Sequence, residues 1–146
     1  MRTTSPVALL LALTLAGCAG SSRDEHVQMR LQASPRNAGQ IAQATLVPRD
    51  AQTDVTAFVS GVPMGMTLPV RLYAFIYTGH CGQLGAKPAY GLNNTVRTFH
   101  KGPLDGWNLS RSAKVPLSTL QATPHALVLR APSSDGGQDL FCGDIP

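Results

Sequence analysis

Between residues 68 and 77 the chain alternates at every step. Leu68, Val70, Leu72, Ala74 and Ile76 fall on one side of an extended backbone, and Arg71, Tyr73, Phe75 and Tyr77 fall on the other. Successive side chains of a strand point to opposite faces, so this period of two predicts a strand with the first set in the core. Shorter runs repeat the pattern. Val27, Met29 and Leu31 alternate with Gln28, Arg30 and Gln32; Ala42, Ala44 and Leu46 share one face of residues 40–46; Val55, Ala57 and Val59 share one face of residues 53–62, ahead of a turn at Gly61-Val62-Pro63-Met64-Gly65. Residues 114–120 predict a strand followed by a short helical turn. Residues 125–130 predict a core strand through Leu127 and Leu129, and residues 139–142 a short closing strand. Between 78 and 107 the alternation dissolves among Gly79, Gly82, Gly85, Pro88, Gly91, Gly102, Pro103 and Gly106, which predicts one long covering loop. No stretch holds a helical period over three turns. Short strands punctuated by Gly and Pro predict an all-β fold, an antiparallel Greek-key sandwich or barrel.

The first residues carry a different signal. Arg2 precedes the apolar run 7–15, which is followed by Ala16-Gly17-Cys18, the charged, apolar and small-residue order of a secretory signal. A run this short falls well below the roughly 20 residues that a bilayer-spanning helix needs, so cleavage is expected. Leu15-Ala16-Gly17-Cys18 resembles the lipobox of bacterial lipoproteins. The alternative is an ordinary secretory signal with an incidental cysteine. The resemblance implies that residues 1–17 are removed and that Cys18 carries the lipid, and Ala19-Gly20 resembles lipoproteins sorted to the outer membrane. One acyl chain holds a protein only marginally, whereas two or three hold it stably. Residues 18–26 then form the lipidated cysteine and a polar tether, and residues 27–146 the folded domain.

Without residues 1–17, about 129 residues remain, enough for one domain with a real core, and the net charge falls from +4 to about +3. So mild and scattered a charge does not fit a nucleic-acid surface. With Cys18 assigned to lipid, Cys81 and Cys142 remain as a pair in an oxidising compartment and are expected to form a disulfide. Closing a loop of that length stabilises by up to about 4 kcal/mol in the chain-entropy view. Two free thiols are the alternative; a metal–thiolate site has less support, because the chain has no CxxC or Cys/His cluster.

Several short elements, Gly39-Gln40 with Ala44-Thr45-Leu46, Gly61-Val62-Pro63, Gly79-His80-Cys81 and Phe141-Cys142-Gly143-Asp144-Ile145, together resemble the copper/zinc superoxide dismutase-like β-sandwich family. In that family a Gly-x-Cys element after a central strand is disulfide-bonded to a Cys-Gly-x-Ile element near the C-terminus. The resemblance covers roughly residues 27–146 and implies a metal site, which this chain does not reproduce. Phe75 and Tyr77 occupy the two histidine positions just before Gly-x-Cys, and Arg130 occupies the histidine position on the penultimate strand. Phe has no lone pair, Tyr is a poor ligand for this chemistry, and Arg is a cation.

The four histidines, His26, His80, His100 and His125, show no ligand spacing with each other or with Asp105, and are expected as polar surface or loop residues. His80 and His100 are the two weak metal candidates, since both fall where a loop site could form. Ser110, Ser112, Ser118, Ser133 and Ser134 lack a nucleophile elbow, and the carboxylates show no paired spacing. No phosphate-cradling Gly loop opens a helix. The expectation is therefore a domain without catalytic residues or cofactor. It is anchored through Cys18 in the bacterial envelope, facing the periplasm at the outer membrane, and acts by binding or structural interaction with an envelope protein. A weak copper- or zinc-binding or superoxide-handling protein is one alternative; an inhibitor or accessory subunit of another envelope protein is a second. The stripe Tyr73, Phe75 and Tyr77 is expected either to anchor the long loop by packing on Leu84, Tyr90 or Trp107, or to form a partly open aromatic binding surface.

Overall fold

The computed structural model describes residues 26–92, 96–97, 99–100 and 106–146, with backbone alone at 96–97 and 99–100. The expected signal peptide, Cys18 and the tether ahead of His26 lie outside these residues. Strands β1 (Val27–Ala33), β2 (Ala42–Arg49) and β3 (Gln52–Val59) form an antiparallel meander with Met29 opposite Ala44 and Ala44 opposite Ala57. The β2–β3 turn places Asp50 at φ 53°, a left-handed conformation that Asp tolerates better than most side chains. From β3 the chain crosses to β4 (Arg71–His80), which pairs not with β3 but with β10 (His125–Arg130). Short β5 (Gln83–Leu84), β6 (Tyr90–Gly91) and β7 (Val96–Arg97) lie antiparallel to β4, whereas β8 (Phe99–His100) pairs with β9 (Trp107–Ala113). Helix α1 (Leu117–Ala122) leads into β10, and β11 (Asp139–Asp144) closes the chain.

The path of pairing runs β5-β4-β10-β11-β1-β2-β3-β9-β8, an all-β sheet of eleven strands in which every pair is antiparallel. Among the described residues its two halves are paired at Gln32 with Cys142 and Ala33 with Phe141, with Ser34 N–H donating to the Leu140 carbonyl just beyond. The sheet curls there, and Leu46, Val55 and Val59 of one half join Leu72, Ile76, Leu127, Leu129 and Phe141 of the other in a single core. Burial follows residue parity. Met29 and Leu31, Ala42 to Leu46, Val55 to Val59 and Leu72 to Ile76 all supply their alternate residues inward, as their sequence periods predict.

Four expectations need correction. Leu68 stands 80% exposed, because β4 begins at Arg71 and the ladder takes in neither Leu68 nor Pro69, which has no N–H to contribute to it. The span 78–107 is not a covering loop alone: β4 itself continues to His80, and the chain then runs back along the β4 edge. Gly85 N–H donates to the Thr78 carbonyl, Ala89 to Ile76 and Leu92 to Ala74. Backbone groups that would make β4 an open edge are thereby paired, which Gly- and Pro-broken segments achieve in two-residue pieces. Third, the strand expected at 114–120 lies at 107–113, where inward Arg111 interrupts the apolar set of Leu109 and Ala113; the expected helical turn is α1, with Leu117 and Leu120 buried. Finally, His125 is buried rather than on the surface. Its Nδ1 lies 3.1 Å from the Leu120 carbonyl oxygen and 2.8 Å from that of Thr123, so a proton there ties the end of α1 to the start of β10.

Two outcomes test this packing. Gly143 sits where a Cβ would come within 2.5 Å of Leu31 Cδ2 and 2.7 Å of the Arg30 carbonyl oxygen, and the latter is backbone. Gly143→Ala is expected to lower unfolding free energy by about 1–3 kcal/mol in urea titration; an unchanged midpoint would contradict the tight β1–β11 approach. On the outer face Asp54 accepts from Ser112 Oγ at 2.5 Å and from Arg49 Nε at 2.6 Å. The Ser112 hydroxyl foremost, and then Arg49, hold the Asp54 carboxyl below its usual pKa against the opposing effect of burial. A carboxylate depressed in the folded state contributes stability above its unfolded pKa and loses it as pH falls through the folded value. Ser112→Ala should therefore destabilise at pH 6, and the gap from wild type should shrink below about pH 4. A gap that stays constant to pH 3 would exclude this carboxylate as its source.

Candidate functional site

Strand parity turns Tyr73, Phe75 and Tyr77 to the outer face of β4, opposite the core set. The register of β10 places Arg130 opposite Tyr73, Val128 opposite Phe75 and Ala126 opposite Tyr77. From there the Arg130 guanidinium reaches diagonally over two rings, 5.3 Å from the Phe75 centroid and 5.6 Å from that of Tyr77. The rings touch in sequence, Tyr73 with Phe75 at 6.2 Å and Phe75 with Tyr77 at 6.4 Å between centroids. Asp139 of β11 fixes the other side of the cation, accepting from Arg130 Nε at 2.5 Å. The Asp139 hydrogen bond, against the cost of burial and with a smaller contribution from Tyr77, raises the Arg130 pKa above its usual value. The group is a permanent cation. Tyr77, Ala126 and Val128 are buried on this outer face, apart from the main core, while Tyr73 and Phe75 remain half-exposed.

The disulfide lies on the same side. Cys81 and Cys142 are bonded with Cα atoms 5.9 Å apart, and Cys142 stands opposite Val128, so the bridge passes over β10 from β4 to β11. Asp144 reinforces it: its Oδ1 accepts from the Cys81 backbone N–H at 2.7 Å, and its Oδ2 lies 3.4 Å from His80 Nδ1.

The structure thus brings Arg130, from a distant part of the sequence, to Phe75 and Tyr77, the other two positions singled out with it. It does not gather the histidines into a site. His80, largely exposed, ends β4, and the backbone of His100 pairs opposite Trp107 near the other end of the sheet order. Among the described residues no group of three His, Cys, Asp or Glu side chains converges to hold a metal ion. The three positions do not fit a metal either, since they offer a hydrocarbon ring, a phenol and a positive charge.

Two of the expected loop anchors face the wrong way for that role. Tyr90 pairs opposite Ile76 and Trp107 opposite Val59, so parity turns both toward the core, against which they pack. Leu84 pairs opposite Gly79 near the end of β4. The stripe's partner is Arg130, whose contact depends on cross-strand register and on Asp139; neither is visible in a linear pattern. No protein-family model, curated protein or solved structure matches the chain.

A cation over an aromatic face contributes between about 0.5 and 2 kcal/mol according to its desolvation. Phe75→Ala removes this contact together with half-buried ring area and is expected to cost about 2 kcal/mol, with a fall of several degrees in melting temperature. Arg130→Met, which keeps the stem and removes the charge, should cost less. Equal stability of wild type and Phe75→Ala would show that the stripe is not an anchor.

Proposed function

We propose that this chain is a bacterial envelope lipoprotein carrying a superoxide dismutase-like Greek-key domain that has exchanged its metal site for a cation–π cluster and acts by binding rather than catalysis. The observation that carries the reading is the convergence of Phe75, Tyr77 and Arg130 on one outer patch. Phe75 and Tyr77 share a face by strand parity, and Arg130, inferred from the same resemblance, comes to lie over both, which supports a shared framework. The strand order supports the same framework: a meander of β1, β2 and β3 receives β9, while β4, β10 and β11 form the facing half. The disulfide between the end of β4 and the last strand fits it as well. Where relatives of that family would hold a cation through neutral ligands, this chain supplies a resident cation of its own, and a metal ion brought there would meet charge repulsion.

In this reading Cys18 is acylated, residues 18–26 tether the domain to the outer membrane on its periplasmic side, and the half-exposed rings of Tyr73 and Phe75 face an envelope protein partner. Elemental analysis of the lipidated protein purified from its envelope tests the exchange. Copper and zinc at trace level are expected. Stoichiometric metal that disappears in His80→Ala would instead favour a site built on the His80–Asp144 pair. Cross-linking in intact cells tests the partner: a discrete adduct that weakens in Tyr73→Ala is expected, and its absence would count against the aromatic face as a docking surface.

A further inference from the structure

The other half of the sheet carries a contrasting outer surface. Cross-strand register sets Gln28, Thr45, Thr56 and Ser110 in one row over β1, β2, β3 and β9, and Arg30, Gln43, Phe58 and Asn108 in the next. Parity turns all eight away from the core, and each is exposed or half-exposed. Four strands at the usual spacing make each row about 14 Å long. Two shallow grooves, of about 360 and 450 Å³, adjoin along β1 and β2 and share Arg30 and Gln43; the first takes in Gln28 and Thr45, the second Gln32 and Gln40. Among the described residues the side chains of Gln28, Arg30, Gln43 and Thr45 have no hydrogen-bond or ion-pair partner. The Phe58 ring packs close over Gly106, where a Cβ would come within 2.5 Å of it.

We propose that this face binds a glycan strand, one that is N-acetylated and carries sparse carboxylates. Amides and hydroxyls offer donors and acceptors side by side, which suits sugar hydroxyls and acetamido groups. The Phe58 ring offers an apolar patch for a sugar's C–H face. Arg30 is the one charge in the two rows, and its planar fork suits a single carboxylate. A polyanion such as nucleic acid would need several cations at this spacing. A protein partner would need a broad apolar centre, whereas this face offers two separate large apolar side chains, Phe58, 36% exposed, and Ile41, 61% exposed at the second groove, set among amides and hydroxyls. The proposal rests on the binding reading above but on a different face and different residues.

Co-sedimentation of the full lipidated protein, held in mild detergent, tests it with two insoluble N-acetylated glycans: bacterial cell-wall sacculi, which carry carboxylates, and chitin, which does not. Wild type should sediment with both, more strongly with sacculi. Gln28→Ala combined with Gln43→Ala should weaken retention on both by roughly tenfold, the scale of two or three lost hydrogen bonds. Arg30→Ala should weaken retention on sacculi alone. All these side chains are exposed, so urea midpoints should match wild type; Gln43→Glu, which preserves size and places an acid opposite Arg30, is a second variant with the same expected loss. Wild type remaining in the supernatant with both glycans, or variants retained as well as wild type, would overturn the proposal. Either result would leave the elemental and cross-linking tests of the aromatic face undisturbed.

Discussion

The covalent bridge from Cys81 to Cys142 constrains more of this molecule than any other single contact. The sheet is one continuous ribbon, and among the described residues its two halves are joined by two residue pairs between β1 and β11 and the Ser34 hydrogen bond just beyond them. So narrow a joint holds only if β11 is itself fixed. On its far side β11 pairs with β10, with an irregularity at Leu129/Arg130, and β10 pairs in register with β4. The disulfide spans this triplet and locks its outer strands together, with Asp144 holding the Cys81 backbone in place. A closed loop of 61 residues' separation reaches about 4 kcal/mol at most in the entropic view. Against a net folding free energy of roughly 5–15 kcal/mol, that is a large share, applied to the half that carries one side of the joint.

Closure leaves two outer faces with different chemistry, and the difference arises from which residues share parity with the core. On β4 the outward positions are Tyr73, Phe75 and Tyr77, and they cover Val128 and Ala126 with rings and a cation. On β1, β2, β3 and β9 the outward positions are largely amides and hydroxyls, which neither bury surface nor repel one another. The aromatic side contributes to stability by buried area, whereas on the polar side the Asp54 cluster with Ser112 and Arg49 does so and the rows of amides hardly at all. A ligand surface under selection for chemistry rather than packing is better placed on the second.

Most of the strands were legible because their inward residues are apolar at every second place. Leu46, Val55 and Leu72 needed no tertiary information to be assigned inward. Legibility failed where the inward residue was polar or the strand was short. Arg111 on β9 broke the apolar set and hid a strand, while β5, β6 and β7 are two residues each and owe their extended form to the β4 edge rather than to their own sequence. His125 looked like a loop residue because its burial depends on carbonyls released at the end of α1, a helix too short to show a period. The aromatic stripe was readable as a face, but the identity of its partner was not. Arg130 lies 55 positions from Phe75, and only the pairing of β10 with β4 makes them neighbours.

That partnership links three neighbouring strands through side chains. Arg130 of β10 supplies a permanent positive charge, and the Phe75 and Tyr77 rings of β4 and the Asp139 carboxylate of β11 are its counterparts. The Asp139 hydrogen bond raises the guanidinium pKa further, so the charge persists across the range in which the domain is folded. Together with the disulfide from the end of β4 to β11, these contacts hold the three strands in register by side chains as well as by backbone pairing.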